Sequence, residues 1–151
     1  MKPLSSTEAL SKAATYCAKG EHCATDIREK LRQWGFEDNA DGIIDKLTQQ
    51  DFINEARYAR AFIHDKYRFA KWGRIKIEQA LRLKQINAET IHQQMDEVID
   101  NEEYNQNLRD LLAQKRKTLK DEDNYQLRAK LVRFALQRGF TYEEVFCNID
   151  D

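Results

Sequence analysis

Apolar residues return every third or fourth position along almost the whole chain, the spacing of helices that bury one face. Ala9, Leu10, Ala13, Ala14 and Cys17 predict a first helix, opened by a capping box between Ser5 and Glu8 and ended at Gly20. Ala24, Ile27, Leu31 and Trp34 predict a second helix that stops at Gly35, and Ala40, Ile43, Ile44 and Leu47 a third. The plan then recurs. Ala56, Ala59, Phe62, Ile63 and Ala70 line a long helix broken by Lys71-Trp72-Gly73. Ile77, Ala80 and Leu81 define a short one, and Asn87 caps the next, which carries Ile91, Met95 and Val98. Tyr104, Leu108, Leu111, Leu112 and Leu119 line another long helix, followed by one with Leu127, Leu131, Phe134 and Ala135. After Gly139, a capping box of Thr141 and Glu144 opens a last helix with Val145, Phe146 and Ile149 turned inward.

Three segments stand in register: IREKLRQWGF (27–36), IEQALRLKQI (77–86) and LVRFALQRGF (131–140). Each opens on an apolar residue and closes, after a turn, on another: Phe36, Ile86 and Phe140. Offsets of 50 and 54 residues between them suit a three-helix unit rather than a short solenoid repeat. The fold expected is all-α, with three tandem three-helix, helix-turn-helix-like repeats over residues 6–50, 54–99 and 101–150. One such unit buries little by itself, so neighbours should cover its leftover apolar surface. Proline supports this reading, because the single one, Pro3, precedes the first helix. A charged share of 34% implies much surface for little core, as in an elongated molecule.

The net charge of −1 hides a segregation. Between Arg57 and Lys84 stand nine basic residues, Arg57, Arg60, Lys66, Arg68, Lys71, Arg74, Lys76, Arg82 and Lys84, against Asp65 and Glu78 alone. Acidic runs occupy 37–55 and 89–110, and 115–138 is basic again. The central unit therefore offers a positive field for phosphates or an acidic protein surface. Tyr58, Tyr67, Phe69 and Trp72 interleave it, placed to stack on bases or to anchor an interface. Tyr58 and Trp72 fit core packing better. The opposed charge blocks also suit ion pairs between the protein's own units.

No catalytic constellation emerges. The chain lacks a glycine-rich phosphate loop and a GxSxG turn, and its carboxylates lie in solvated helical runs. His22, His64 and His92 are far apart; Cys17, His22 and Cys23 do not have the spacing of a zinc site, and no second pair follows. Neither metal nor cofactor is expected. Three cysteines without disulfide-like spacing suggest reduced thiols, and Cys17 and Cys147 read as small core residues. Without a long apolar run or a signal-like N-terminus, a soluble, cytoplasmic, non-enzymatic protein is the expectation.

The stretch NEARYARAFIHDKYRFAKWGRIKIEQALRLKQI (54–86) resembles the central region of RecX proteins, through Arg57, Tyr58, Ala59, Phe62, Lys71, Trp72, Gly73, Ile77 and Leu81. The segment from Ala9 to Phe36 is similar to the family's first unit, and KLVRFALQRGFTYEEVF to its closing one. Many relatives have proline after the central glycine, where this chain has Arg74, and serine where it has Cys23. The resemblance implies a curved array of three-helix units that lies along the RecA recombinase filament and modulates, most simply inhibits, its assembly and activity. That places it in DNA repair, homologous recombination and the SOS response. The expected contacts are Arg60, Lys66, Arg68, Lys71, Arg74, Lys76, Arg82 and Lys84, with single-stranded or duplex DNA as a further partner and no membrane. The alternatives are a helical regulator that binds DNA directly and a helical protein–protein adaptor.

Overall fold

The computed structural model describes residues 4–120 and 122–149. Over them the chain forms nine helices: α1 (Ser6–Ala18), α2 (Ala24–Gln33), α3 (Ala40–Gln49), α4 (Glu55–Arg68), α5 (Arg74–Leu83), α6 (Ala88–Val98), α7 (Asn101–Lys117), α8 (Asn124–Gln137) and α9 (Tyr142–Asn148). They group as three consecutive three-helix units. Their starts follow from the cap residues. The Ser5–Glu8 and Thr141–Glu144 boxes are formed, and the side chains of Asn54, Asn87, Asp100 and Asp123 each accept a hydrogen bond from a first-turn N–H. The longest helix, α7, has Glu102 and Glu103 in its first turn and Lys115, Arg116 and Lys117 in its last, the polarity its dipole favours.

Some inward assignments shift. The helix α4 stops at Arg68, so Ala70 falls outside it and Tyr67 is the buried residue near its end. Ala56 is exposed. In the short α9, Val145 and Asn148 take the inner positions, which turns Phe146 and Cys147 outward; both are exposed.

The registered segments end their helices in one way. Gly35, Gln85 and Gly139 all have positive φ, 81°, 64° and 99°. The apolar residue that follows each donates its N–H to the carbonyl five residues back: Phe36 to Leu31 (2.8 Å), Ile86 to Leu81 (3.1 Å) and Phe140 to Ala135 (3.2 Å). These are Schellman turns, and they drive Phe36, Ile86 and Phe140 into the core. Unit 2 makes the turn with glutamine, at the conformational cost of a side chain in the left-handed region.

These turns are also where units meet. The start of α5 rests on the turn after α8, with Gly73 N–H donating to Arg138 O (2.8 Å) and Ile75 N–H to Gly139 O (3.0 Å). The start of α2 rests likewise on the turn after α5, where the Thr25 hydroxyl donates to Lys84 O (2.7 Å). The core divides accordingly. One cluster is unit 1's own, around Ile27, Leu31, Ile43, Leu47 and Ile53. The other runs unbroken through units 2 and 3, from Ile63, Ile77 and Leu81 to Tyr104, Leu131 and Phe140, and takes in Cys23 at the head of α2. The total surface of 9647 Å² exceeds the roughly 8,000 Å² of a compact monomer of this mass, as three units placed side by side require.

A Cβ on Gly73 would stand 2.2 Å from the carbonyl carbon of Gly139, whereas one on Gly20 meets nothing closer than 4.0 Å. In urea unfolding, Gly73→Ala should lower stability by ~2 kcal/mol or more and Gly20→Ala should be nearly neutral. Gln85→Gly, which relieves the left-handed side chain, should raise it by about 0.5 kcal/mol.

Candidate functional site

Most of the basic central block is neutralised by carboxylates from elsewhere in the fold. Arg60 on α4 reaches Glu97 on α6 (3.1 Å), and Arg68 reaches Glu103 on α7 (3.4 Å). Arg82 pairs with Glu78 one turn back on α5 (2.9 Å), and Glu78 also meets His92 (2.8 Å). Arg57 binds Glu21 (2.6 Å) and Asp51 (3.0 Å). The acidic runs thus act on the protein's own arginines.

Two of the basic residues are built into the joints. At the joint of units 2 and 3, Arg74 donates to Glu144 (3.1 Å) and to Asn101 (2.6 Å), and its guanidinium lies 4.1 Å from the centroid of the Tyr104 ring. The Tyr104 hydroxyl accepts from Arg74 N–H and donates to Glu144, so one buried tyrosine ties three helices. Burial pushes its phenol well above the ordinary tyrosine range. At the joint of units 1 and 2, Lys84 Nζ lies 2.6 Å from Asp26 Oδ1. Burial acts to raise the Asp26 carboxyl, but the Lys84 ammonium and the Cys23 N–H outweigh it and hold the carboxyl below its ordinary value.

The remaining expected contacts, Lys66, Lys71 and Lys76, are placed differently. Lys66 and Lys76 hold their ammonium groups over the half-buried Trp72 ring, 4.9 and 4.4 Å from its centroid. Lys66 also touches Asp65, its exposed neighbour, at 3.8 Å. Lys71, in the left-handed region at φ 57°, donates to Asn107 (3.1 Å). Across the Gly73–Gly139 contact the arrangement recurs on unit 3, with Lys115 and Arg138 5.3 and 5.2 Å from the centroid of Phe134. Among the described residues, no carboxylate lies within ion-pair distance of Lys71, Lys76, Lys115 or Arg138. A cation set against a ring face is positioned yet keeps its full charge for an outside anion, whereas one paired with a carboxylate is largely spent. The joint thus gathers Lys66, Lys76, Lys115 and Arg138 into one strip. Lys115 and Arg138 were not among the expected contacts. Their signal was the second basic run, whose approach to the first depends on a backbone crossing between distant residues.

The aromatics sort in the same way. Tyr58 and Tyr67 are buried in the core, Trp72 packs on its margin under the lysines, and Phe69 is exposed. Cys17 and Cys23 are buried and their thiols are pushed up by burial; Cys147 lies on the surface rather than in the core. Among the described residues, no group of three His, Cys, Asp or Glu side chains is placed to hold a metal ion, and no helix is long and apolar enough to cross a membrane.

Comparison with known proteins bears on the family and the fold. Residues 54–95 match the family model for the second three-helix domain of RecX, and residues 102–147 the model for the third. The chain belongs to the RecX family. A regulatory protein RecX of Clostridium acetobutylicum is 29% identical over 141 residues, covering 91% of this chain and 65% of its own length. One of Clostridium perfringens is 33% identical over 121 residues, covering 78% of this chain and 56% of its own length. The chain therefore spans between about half and two thirds of the length of these curated RecX relatives. The crystal structure of RecX from Lactobacillus salivarius superposes with a TM-score of 0.82 at 19% identity, covering 93% of this chain and 92% of that one. A second RecX crystal structure gives 0.81 at 20% identity, with 91% and 70% covered. Both show the RecX fold of tandem three-helix units.

The Asp26–Lys84 pair makes the joint between units 1 and 2 sensitive to pH. Because the folded state holds the Asp26 carboxyl below its unfolded value, its contribution is present above about pH 4 and is lost as pH falls through the folded value. Asp26→Asn should lower the melting temperature by roughly 3–6 °C at pH 7. In melts at several pH values, that difference should shrink progressively as the pH falls below about 4. A gap that stays constant down to the acid limit of folding would assign the effect to an uncharged contact of the side chain instead.

Proposed function

We propose that this chain is a non-catalytic modulator of a RecA-type recombinase filament, most simply an inhibitor of its growth and ATP hydrolysis. The observation that carries the reading is the strip of Lys66, Lys76, Lys115 and Arg138, held on aromatic rings across the joint of units 2 and 3, in which, among the described residues, only Lys66 has a carboxylate within ion-pair distance. A nucleoprotein filament presents DNA phosphates and acidic protein surface along a continuous groove. A molecule of side-by-side units with one positive strip is suited to lie in it, and long-range attraction would speed the encounter. Family membership and the regulatory description of the relatives support the same role. Of the contacts expected from sequence, Lys66, Lys71 and Lys76 remain in this proposal as docking residues. Arg60, Arg68 and Arg82 contribute less, because their charge is already met within the fold. Arg74 and Lys84 act chiefly by holding the units together.

Direct DNA binding uses the same cations, so the two readings separate only by assay. The decisive measurement is single-stranded-DNA-dependent ATP hydrolysis by the cognate recombinase, titrated with this protein. Suppression below one protein per recombinase subunit is expected. Lys66→Glu with Lys76→Glu and Lys115→Glu should raise the half-inhibiting concentration on the order of ten-fold and flatten its salt dependence, with helicity unchanged. If folded wild-type protein in excess leaves hydrolysis untouched, the filament reading fails. A gel shift on DNA alone would then decide between a DNA-binding regulator and an adaptor.

A further inference from the structure

The two joints of the row are closed by different means. Between units 2 and 3 the connection from α6 to α7 is only residues 99–100, and Ile99 within it is buried in the core that both units share. Backbone touches backbone there, at Gly73 and Gly139. Between units 1 and 2 the connection from α3 to α4 is longer, residues 50–54. It passes through Asp51 at φ 62° and returns Ile53 to the core of unit 1. The bonds across this joint run through side chains: the Thr25 hydroxyl to Lys84 O (2.7 Å), Lys84 to Asp26 (2.6 Å) and Arg57 to Glu21 (2.6 Å).

The apolar seal of this joint is equally slight. Among the described residues, Cys23 is the one buried residue of unit 1 that belongs to the core of units 2 and 3. It is fully buried, with Tyr58 of α4 beside its thiol. A side chain of that size covers far less apolar area than the run of core residues through the other joint. The ion pairs are open to water: Glu21 is 33% exposed, Arg57 37% and Lys84 42%. Pairs so placed hold loosely and weaken as salt screens them. Unit 1 nevertheless has a complete core of its own, around Ile27, Leu31, Ile43, Leu47 and Ile53. A segment that is well packed inside and weakly held at its edge opens as a block rather than residue by residue.

We infer that unit 1 swings as a rigid body about residues 50–54, and that the Asp26–Lys84 and Glu21–Arg57 pairs are the latch that holds it closed. Opening parts both pairs and withdraws Cys23 from the core of units 2 and 3, while the core of unit 1 stays intact. Units 2 and 3 move as one piece. The row therefore bends at one end only, and from a fixed anchor in units 2 and 3 it can follow an elongated partner of varying curvature. The hinge goes beyond the filament-docking role and holds whatever that partner is.

Cys23 reports on the hinge without any added label. The full chain is treated with dithiobis(nitrobenzoate) near pH 8, where thiols react, at ~0.05 and ~0.5 M salt. Peptide mapping separates Cys23 from Cys17 and Cys147, and each rate is divided by that of the urea-unfolded chain at the same salt. The exposed Cys147 should react at once. Cys23 should react slowly at low salt and roughly five-fold faster at high salt. Lys84→Gln with Arg57→Gln should give the fast rate at low salt and abolish the salt dependence. Throughout, the amides of Ile43, Ile44 and Leu47 on α3 should stay protected from hydrogen exchange. A Cys23 rate that responds neither to salt nor to the double variant would overturn the inference, as would a Cys23 as fast as Cys147 at low salt. Exchange of the α3 amides in step with Cys23 labelling would overturn it too, because unit 1 would then be unfolding rather than swinging. None of these measurements involves a recombinase or DNA, so the hinge and the filament reading fail independently.

Discussion

A helix leaves its last carbonyls without partners, and burying such an end is tolerable only if something donates to it. In this molecule that constraint sets the relation between units. The middle helix of units 2 and 3 ends in a turn whose own bonds satisfy the inner carbonyls, while the outermost, at Lys84 and Arg138, point at the preceding unit. The head of that unit's middle helix supplies the donor: the Thr25 hydroxyl in one case and the Gly73 N–H in the other. The positive end of one helix dipole thereby meets the negative end of the next. Core continuity, the placement of the cation strip and the arrangement of the units follow from this contact.

The two joints solve one problem with different chemistry. Between units 2 and 3 the backbones cross at Gly73 and Gly139, so closely that neither position has room for a Cβ, and the hydrophobic core continues through the crossing. Between units 1 and 2 the bond is made by side chains, Thr25 to Lys84 O, Lys84 to Asp26 and Arg57 to Glu21, and unit 1 keeps a core of its own apart from Cys23. The first joint is fixed chiefly by shape, and solution conditions reach it mainly through the Arg74–Glu144 pair. The second depends on charge, and salt and acid act on it.

The helices and their repeat were legible in the sequence because both rest on local rules: apolar spacing, cap residues, and a turn followed by a large apolar residue. Phe36, Ile86 and Phe140 occupy the buried positions that the register assigned them. The charge blocks were legible as blocks, but their meaning was not. Whether Arg74 faces a partner or Glu144 depends on a contact across 70 residues, which periodicity does not encode. The same holds for Lys115 and Arg138, which join the strip only because two distant glycines touch. Cys147 and Phe146 were misplaced because α9 is only two turns long, too short for apolar spacing to tell its inner face from its outer one.

Each joint links unlike ends, the head of one middle helix to the tail of the next, so the series has a direction and nothing in its geometry closes it. A ring or a two-fold dimer has a fixed membership; a row of this kind does not. Copying one stretch of about 50 residues, with a donor at its head and a Schellman turn at its tail, would lengthen the row by a unit without redesigning the others. Reach along an extended partner, in such a design, is a quantity that gene duplication can adjust in whole steps.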